Sequence, residues 1–134
     1  MMRVPGQIRD AVLAHAAFCA PEEACGLLAG DDEGNLKMVY CLTNVQHSRV
    51  AYTVDPEEHF RALRHAEANG WKLVGAFHSH PHSEAYPSAT DRRLAAEPDW
   101  IYLIASLVGP DSLRLRGYFL RSGTVVEEPL EIGD

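Results

Sequence analysis

Trp71-Lys72-Leu73-Val74-Gly75-Ala76-Phe77-His78-Ser79-His80-Pro81 is an apolar run that ends in two histidines and a proline. Residues 71–77 read as a buried β-strand that passes directly into the polar tetrad 78–81. Side chains at i and i+2 of an extended chain share a face, so His78 and His80 aim two imidazoles at one point where the strand ends. Ten residues separate His80 from Asp91 in Ser88-Ala89-Thr90-Asp91, enough for a loop to turn back and bring a carboxylate to that point. Two histidines and one carboxylate leave the fourth position of a tetrahedral zinc open for water, the layout of a catalytic rather than a structural site. Plainer readings exist for each part. An H-x-H pair at a strand end also occurs as two ordinary polar residues, and Ser88-x-x-Asp91 is a helix capping box with Ser88 as N-cap. Capping and catalysis are compatible, because a serine held rigidly at a helix start can turn its hydroxyl to a ligand.

Working outward, a short helix is predicted from about Ser88 to Ala96, then an apolar strand over Trp100–Val108. Gly109-Pro110-Asp111 turns the chain into a strand over Leu113–Leu120, where Leu113, Leu115, Gly117 and Phe119 alternate with Arg114, Arg116 and Tyr118. Ser122-Gly123 turns it again into Thr124–Ile132. Upstream, residues Pro5 to about Ala20 have helical spacing and stop at Pro21. Cys25–Gly30 and Leu36–Leu42 read as a hairpin across Asp31-Asp32-Glu33-Gly34. A second helix opens at Asp55-Pro56, with Glu58 completing a capping box and Asn69-Gly70 as the stop. Helices and strands intermix, so the expected fold class is α/β (mixed α+β), a mixed sheet flanked by helices. No repeat, low-complexity tract or flexible linker interrupts the chain, which is expected to be a single domain over 1–134.

The chain has 134 residues, 46% hydrophobic and 23% charged, which excludes a disordered chain and a collagen-like repeat. No apolar run approaches the roughly 20 residues of a membrane span. The N-terminus lacks the apolar stretch of a secretory signal, so a cytoplasmic location is expected. A net charge of −7 argues against binding to nucleic acid. Cys19, Cys25 and Cys41 form an odd set without a C-x-x-C pair, which points to buried, reduced thiols. A nucleophilic Cys25 is the sharper alternative, and its neighbours give it little support. Hydrolysis at a metal needs a general base. Glu22 and Glu23 stand just before the apolar run Ala24–Gly30, where a carboxylate can have a raised pKa. Pattern alone does not choose between them, and both also read as solvated strand ends.

Glu23-Ala24-Cys25-Gly26-Leu27-Leu28-Ala29-Gly30, His78-x-His80-Pro81 and Ser88-x-x-Asp91 together resemble the signature of the JAMM, or MPN-plus, metalloprotease family in order and spacing. The resemblance spans nearly the whole chain. It implies a curved β-sheet flanked by helices, related to that of the cytidine deaminases, and one zinc per chain with water as fourth ligand. It assigns His78, His80 and Asp91 as metal ligands, Glu23 as general base from its offset to Gly26, and Ser88 as the hydroxyl that stabilises the oxyanion. The segments Ser83–Asp91 and Ala96–Asp99 resemble the small bacterial branch, which implies hydrolysis of the CysO-cysteine type. The partner would then be a ubiquitin-like sulfur-carrier protein with a C-terminal Gly-Gly, and cysteine the leaving group.

Three other readings compete. A peptidase that trims or deconjugates ThiS-like, MoaD-like or ubiquitin-like modifiers shares the metal site and differs in the leaving group. A silent MPN binding scaffold would normally lack ligands that are all present here. A zinc deaminase needs H-x-E and P-C-x-x-C, and neither occurs; H-E-x-x-H is absent as well. His82 and Tyr86 lie in the loop beside the site. His15, His59 and His65 are expected at helix surfaces, and Trp71 and Trp100 in packing at strand ends. Asn44 and His47 have no role that the sequence suggests.

Overall fold

The two histidines sit at the end of the third strand across a six-stranded sheet. In the computed structural model, which describes residues 1–111 and 114–133, the elements run β1 (Met2–Pro5), α1 (Gly6–Cys19), β2 (Cys25–Gly30), β3 (Leu36–Leu42), α2 (Pro56–Ala68), β4 (Lys72–His80), α3 (Ala89–Leu94), β5 (Ile101–Ser106), β6 (Leu115–Arg121), β7 (Thr124–Glu128) and β8 (Leu130–Gly133). The large sheet has the order β3-β2-β4-β5-β6-β7, and β1 and β8 form a separate two-stranded sheet. Only β4 and β5 pair in parallel within the large sheet, the crossover between them carrying α3. The fold is thus mixed α+β.

The pleat sorts residues into two cores. Ile8, Val12 and Ala16 of α1 pack with Leu28, Phe77, Ile101 and Leu103 on one face. On the other, Ala62 of α2 packs with Leu27, Ala76, Tyr102, Ile104 and Tyr118. His78 and His80 follow Ala76 at two-residue steps and so emerge on the α2 face. On the α1 face Gly26 lets β2 approach its neighbours: a Cβ would overlap the Tyr40 carbonyl and the Phe77 ring. No helix among the described residues is long and apolar enough to cross a membrane.

Several local expectations shift. The strand of the opening stretch continues through both histidines instead of stopping before them. Pro5 belongs to β1, whose residues Met2–Pro5 pair in parallel with Leu130–Gly133. The predicted strand Thr124–Ile132 breaks at Pro129, which has no N–H for a ladder. Leu113 lies outside the described residues. Asp55 caps α2 by accepting from the Glu57 and Glu58 amides, but the Glu58 carboxylate turns instead to the amide and hydroxyl of Thr43, at 2.7 and 2.9 Å. The buried stripe of α2 is Ala62 and Ala66, while Phe60 is exposed.

Candidate metal centre

Two imidazole nitrogens and a carboxylate oxygen converge at the end of β4. His78 Nε2 and His80 Nε2 stand 3.2 Å apart, and each lies 3.0 Å from Asp91 Oδ2. All three side chains are buried. Asp91 reaches this point through the cap of α3: Ser88 Oγ accepts from the Asp91 amide at 3.0 Å, and the Ser88 amide donates to Asp91 Oδ2 at 2.9 Å. The predicted capping box therefore exists, and it aims the carboxylate at the histidines.

The site holds each ring in a defined way. His80 Nδ1–H donates to the Glu84 carbonyl at 2.8 Å, which leaves Nε2 as the lone-pair nitrogen facing Asp91. The carbonyls on either side of Glu84 are fixed too, Ser83 by Ser106 Oγ at 2.6 Å and Ala85 by the Tyr118 hydroxyl at 2.5 Å. Tyr52 stacks on His78, ring centroids 4.7 Å apart and planes inclined by 21°. Burial keeps His78 below the ordinary imidazole pKa in spite of the nearby Asp91 carboxylate. His80 is also buried, but Asp91 and the Glu84 carbonyl raise it above that value. For Asp91, burial is outweighed by the hydrogen bonds from His78 and His80, which hold the carboxyl well below the usual carboxylate range.

These residues fit a zinc ion. Ligands 2.0–2.1 Å from a tetrahedral zinc stand about 3.3 Å apart, close to the 3.0–3.2 Å separations here. The set is borderline nitrogen and hard oxygen, neutral at His78 and anionic at Asp91, as ligation requires. One carboxylate oxygen shared by two imidazole nitrogens is also a crowded arrangement that a cation between them would relieve. His78, His80 and Asp91 are the one such cluster among the described residues.

Glu23 lies beside this point. The Ala24 carbonyl accepts from the Ser79 amide at 3.0 Å and the Ala24 amide donates to Ser79 Oγ at 2.7 Å, so the ladder of Cys25 with His78 continues outward and puts Glu23 level with His80. Glu23 is 3% exposed and its Oε1 has no partner. Burial, partly offset by His80 and reinforced by Asp91, pushes its carboxyl up to about 8; a dication at the triad would draw it down again. Glu22 instead turns outward to His47, 3.2 Å away. Of the two acids before β2, Glu23 is the buried one beside the cluster and Glu22 the one turned away from it.

A cleft of about 430 Å³ opens against His78 and Asp91, walled by Leu27, Tyr52, Val54, Leu94, Trp100 and Tyr102. His59 and Trp100 line it, a place neither was expected to have. His15 is half-buried, bonding the Leu42 carbonyl at 3.1 Å and packing edge-on against Phe77. His82 and Tyr86 remain exposed. All three cysteines are free, but only Cys25 is buried. Tyr52 was missed; at an even step from Val54 in a polar segment it gave no periodic signal.

Residues 5–116 match the family model described as prokaryotic homologues of the JAB domain. The chain belongs to that family. It is 38% identical over 124 residues to the CysO-cysteine peptidase of Mycobacterium tuberculosis, covering 92% of this chain and 85% of that protein. It is 45% identical over 104 residues to the desampylase of Haloferax volcanii, covering 73% and 75% respectively. The fold is that of a JAB1/MPN domain protein from Archaeoglobus fulgidus, with a TM-score of 0.67 at 21% identity over 99% of this chain and 100% of that one.

Proposed function

We propose that this JAB-family chain is a zinc-dependent peptidase that cleaves an amide bond at the C-terminal tail of a ubiquitin-like protein. His78, His80 and Asp91 would hold the metal. The carrying observation is the convergence of two Nε2 atoms and one carboxylate oxygen beside a buried carboxylate with an unpartnered oxygen. When bound, zinc supplies the Lewis acidity that lowers the pKa of water towards about 7 and polarises a carbonyl. Glu23 accepts the proton of the attacking water and delivers it to the leaving nitrogen as the C–N bond breaks. Ser88 Oγ already accepts from the Asp91 amide, so its own proton is free to donate to the oxyanion. The wall of the cleft beside His78 receives the tail, and Cys25 takes no part.

The relatives' names, CysO-cysteine peptidase and desampylase, support a ubiquitin-like substrate. The favoured substrate is a sulfur carrier ending in Gly-Gly with cysteine as leaving group, a reading supported by the match over 92% of the chain. Release of a modifier from a protein amine is the second reading, favoured by the 45% identity to a desampylase. Intact-mass spectrometry separates the two. The zinc-loaded enzyme is incubated with a carrier ending in Gly-Gly-Cys and with the same carrier joined to a lysine side chain. Loss of a single cysteine from the first supports the favoured reading, and cleavage of the second alone supports the other. Cleavage of neither by protein with full zinc content overturns the peptidase reading in favour of a binding scaffold.

A further inference from the structure

Nothing attached to the Glu23 Oε1 atom aims it, since that atom is buried without a partner. With no hydrogen bond at that atom, where the carboxylate lies depends on where its backbone is placed. That backbone is held on both sides by the strap 44–54: the Glu23 amide donates to the Ser48 carbonyl at 2.8 Å, and the Glu23 carbonyl accepts from Asn44 Nδ2 at 3.1 Å. Asn44 is 6% exposed and its amide is fully used. Nδ2 also donates to the Ala51 carbonyl at 3.0 Å, while Oδ1 accepts from the amides of Gln46 at 3.0 Å and Thr53 at 3.2 Å. An asparagine side chain has two donor hydrogens and two acceptor lone pairs, so one residue closes the strap on itself and ties it to Glu23. The Val45 amide adds a bond to the Thr53 carbonyl at 2.9 Å, and Asn44 and Val54 form a β-bridge. The strap's far end lays Tyr52 on His78 and, with Ala51, Thr53 and Val54, forms a wall of the cleft.

We infer that Asn44 is a positioning residue, which fixes the Glu23 backbone and thereby the aim of its carboxylate at the scissile amide. This rests on the reading of Glu23 as general base. A buried amide with all its bonds made is costly to break, and a displacement of about 1 Å at a reacting group can cost about a hundredfold in rate.

Two variants test it, Asn44→Ala and Asn44→Asp. The second keeps an acceptor for the Gln46 and Thr53 amides and sets a carboxylate oxygen against the Glu23 and Ala51 carbonyls, so it breaks the tie to Glu23 by repulsion while the acceptor side of the strap stays bonded. Native-state hydrogen exchange by NMR reads the Glu23 amide with no substrate present. Kinetics on the carrier ending in Gly-Gly-Cys read kcat and KM at matched zinc content. Expected are exchange at Glu23 at least tenfold faster with β4 amides unchanged, kcat lower by ten- to a hundredfold, and KM within twofold. Glu23 exchange and kcat both within twofold of wild type would overturn the inference. So would uniform loss of protection over β2 and β4 with kcat falling only as the folded fraction falls. If wild type does not cleave the carrier, that counts against the functional reading, and exchange at Glu23 still decides whether Asn44 holds it.

Discussion

Cys25 stands two residues after Glu23 and opposite His78 in the ladder, yet its position suppresses its chemistry. Burial, with smaller contributions from Cys19, Glu58 and Glu23, pushes the thiol up to about 12. The sign is that of a protonated, inert group: at pH 8 only about one molecule in ten thousand carries the thiolate that alkylates. Iodoacetamide at pH 8 is expected to leave Cys25 unlabelled in the folded protein and to label it in urea, as read by peptide mass mapping. Rapid labelling of folded Cys25 with loss of turnover would put the thiol into the reaction. Ser88 caps α3 and, in the proposed mechanism, also donates to the oxyanion. Ser88→Ala is expected to cost about 1 kcal/mol of stability as a lost cap, and to lower kcat by about a hundredfold or more with the metal retained. Thermal melts, zinc analysis and kinetics check the parts separately, and unchanged kcat would remove the oxyanion role. At this scale the convergence of His78, His80 and Asp91 and the Ser88 cap were legible because their spacing is a property of the chain. Residue pattern alone left Glu22 and Glu23 both open, and the family resemblance chose Glu23; that Glu23 is the buried one depends on Ala24 pairing with Ser79, a contact between distant strands.

Elements hold the site through three successive carbonyls of the loop after β4. Ser83, Glu84 and Ala85 accept from Ser106 of β5, His80 of β4 and Tyr118 of β6. The loop is thereby pinned to the sheet, and the Glu84 carbonyl keeps Nε2 as the lone-pair nitrogen of the His80 ring. Tyr118→Phe removes the hydroxyl and leaves the ring packed. Zinc affinity is expected to fall about tenfold, the scale of a lost outer partner, when measured by chelator competition. Unchanged affinity would show that the loop holds its shape without that bond. The hairpin β2–β3 and the start of α2 were readable because turn and cap residues act over a few positions. Tyr118 was read onto the polar side of its strand because it alternates in step with Arg114 and Arg116. It is buried on the α2 face, where its ring fills the core and its hydroxyl finds the loop. The strap 44–54 was invisible for a different reason. Its order comes from one asparagine side chain instead of from a periodic pattern.

Across the whole molecule, the site draws Glu23, the strap, the end of β4 and the cap of α3 to one end of the sheet's central strands. Two crossings of the sheet make this possible: β2 runs antiparallel to β4 and begins where β4 ends, and β5 returns parallel after α3. The fold class followed from the mixture of helical and strand periods. The parallel pairing of β1 with β8 did not, because it joins the two ends of the chain and leaves no local signal. The central claim is that a buried carboxylate and a three-residue metal centre act together on an amide. The most direct test compares turnover of the carrier probes by wild type and Glu23→Gln at equal, measured zinc content. The expected result is full zinc in both proteins, with turnover in the variant lower by at least a hundredfold. Turnover by Glu23→Gln within a few-fold of wild type would contradict the account, because the proton would then be travelling by another route.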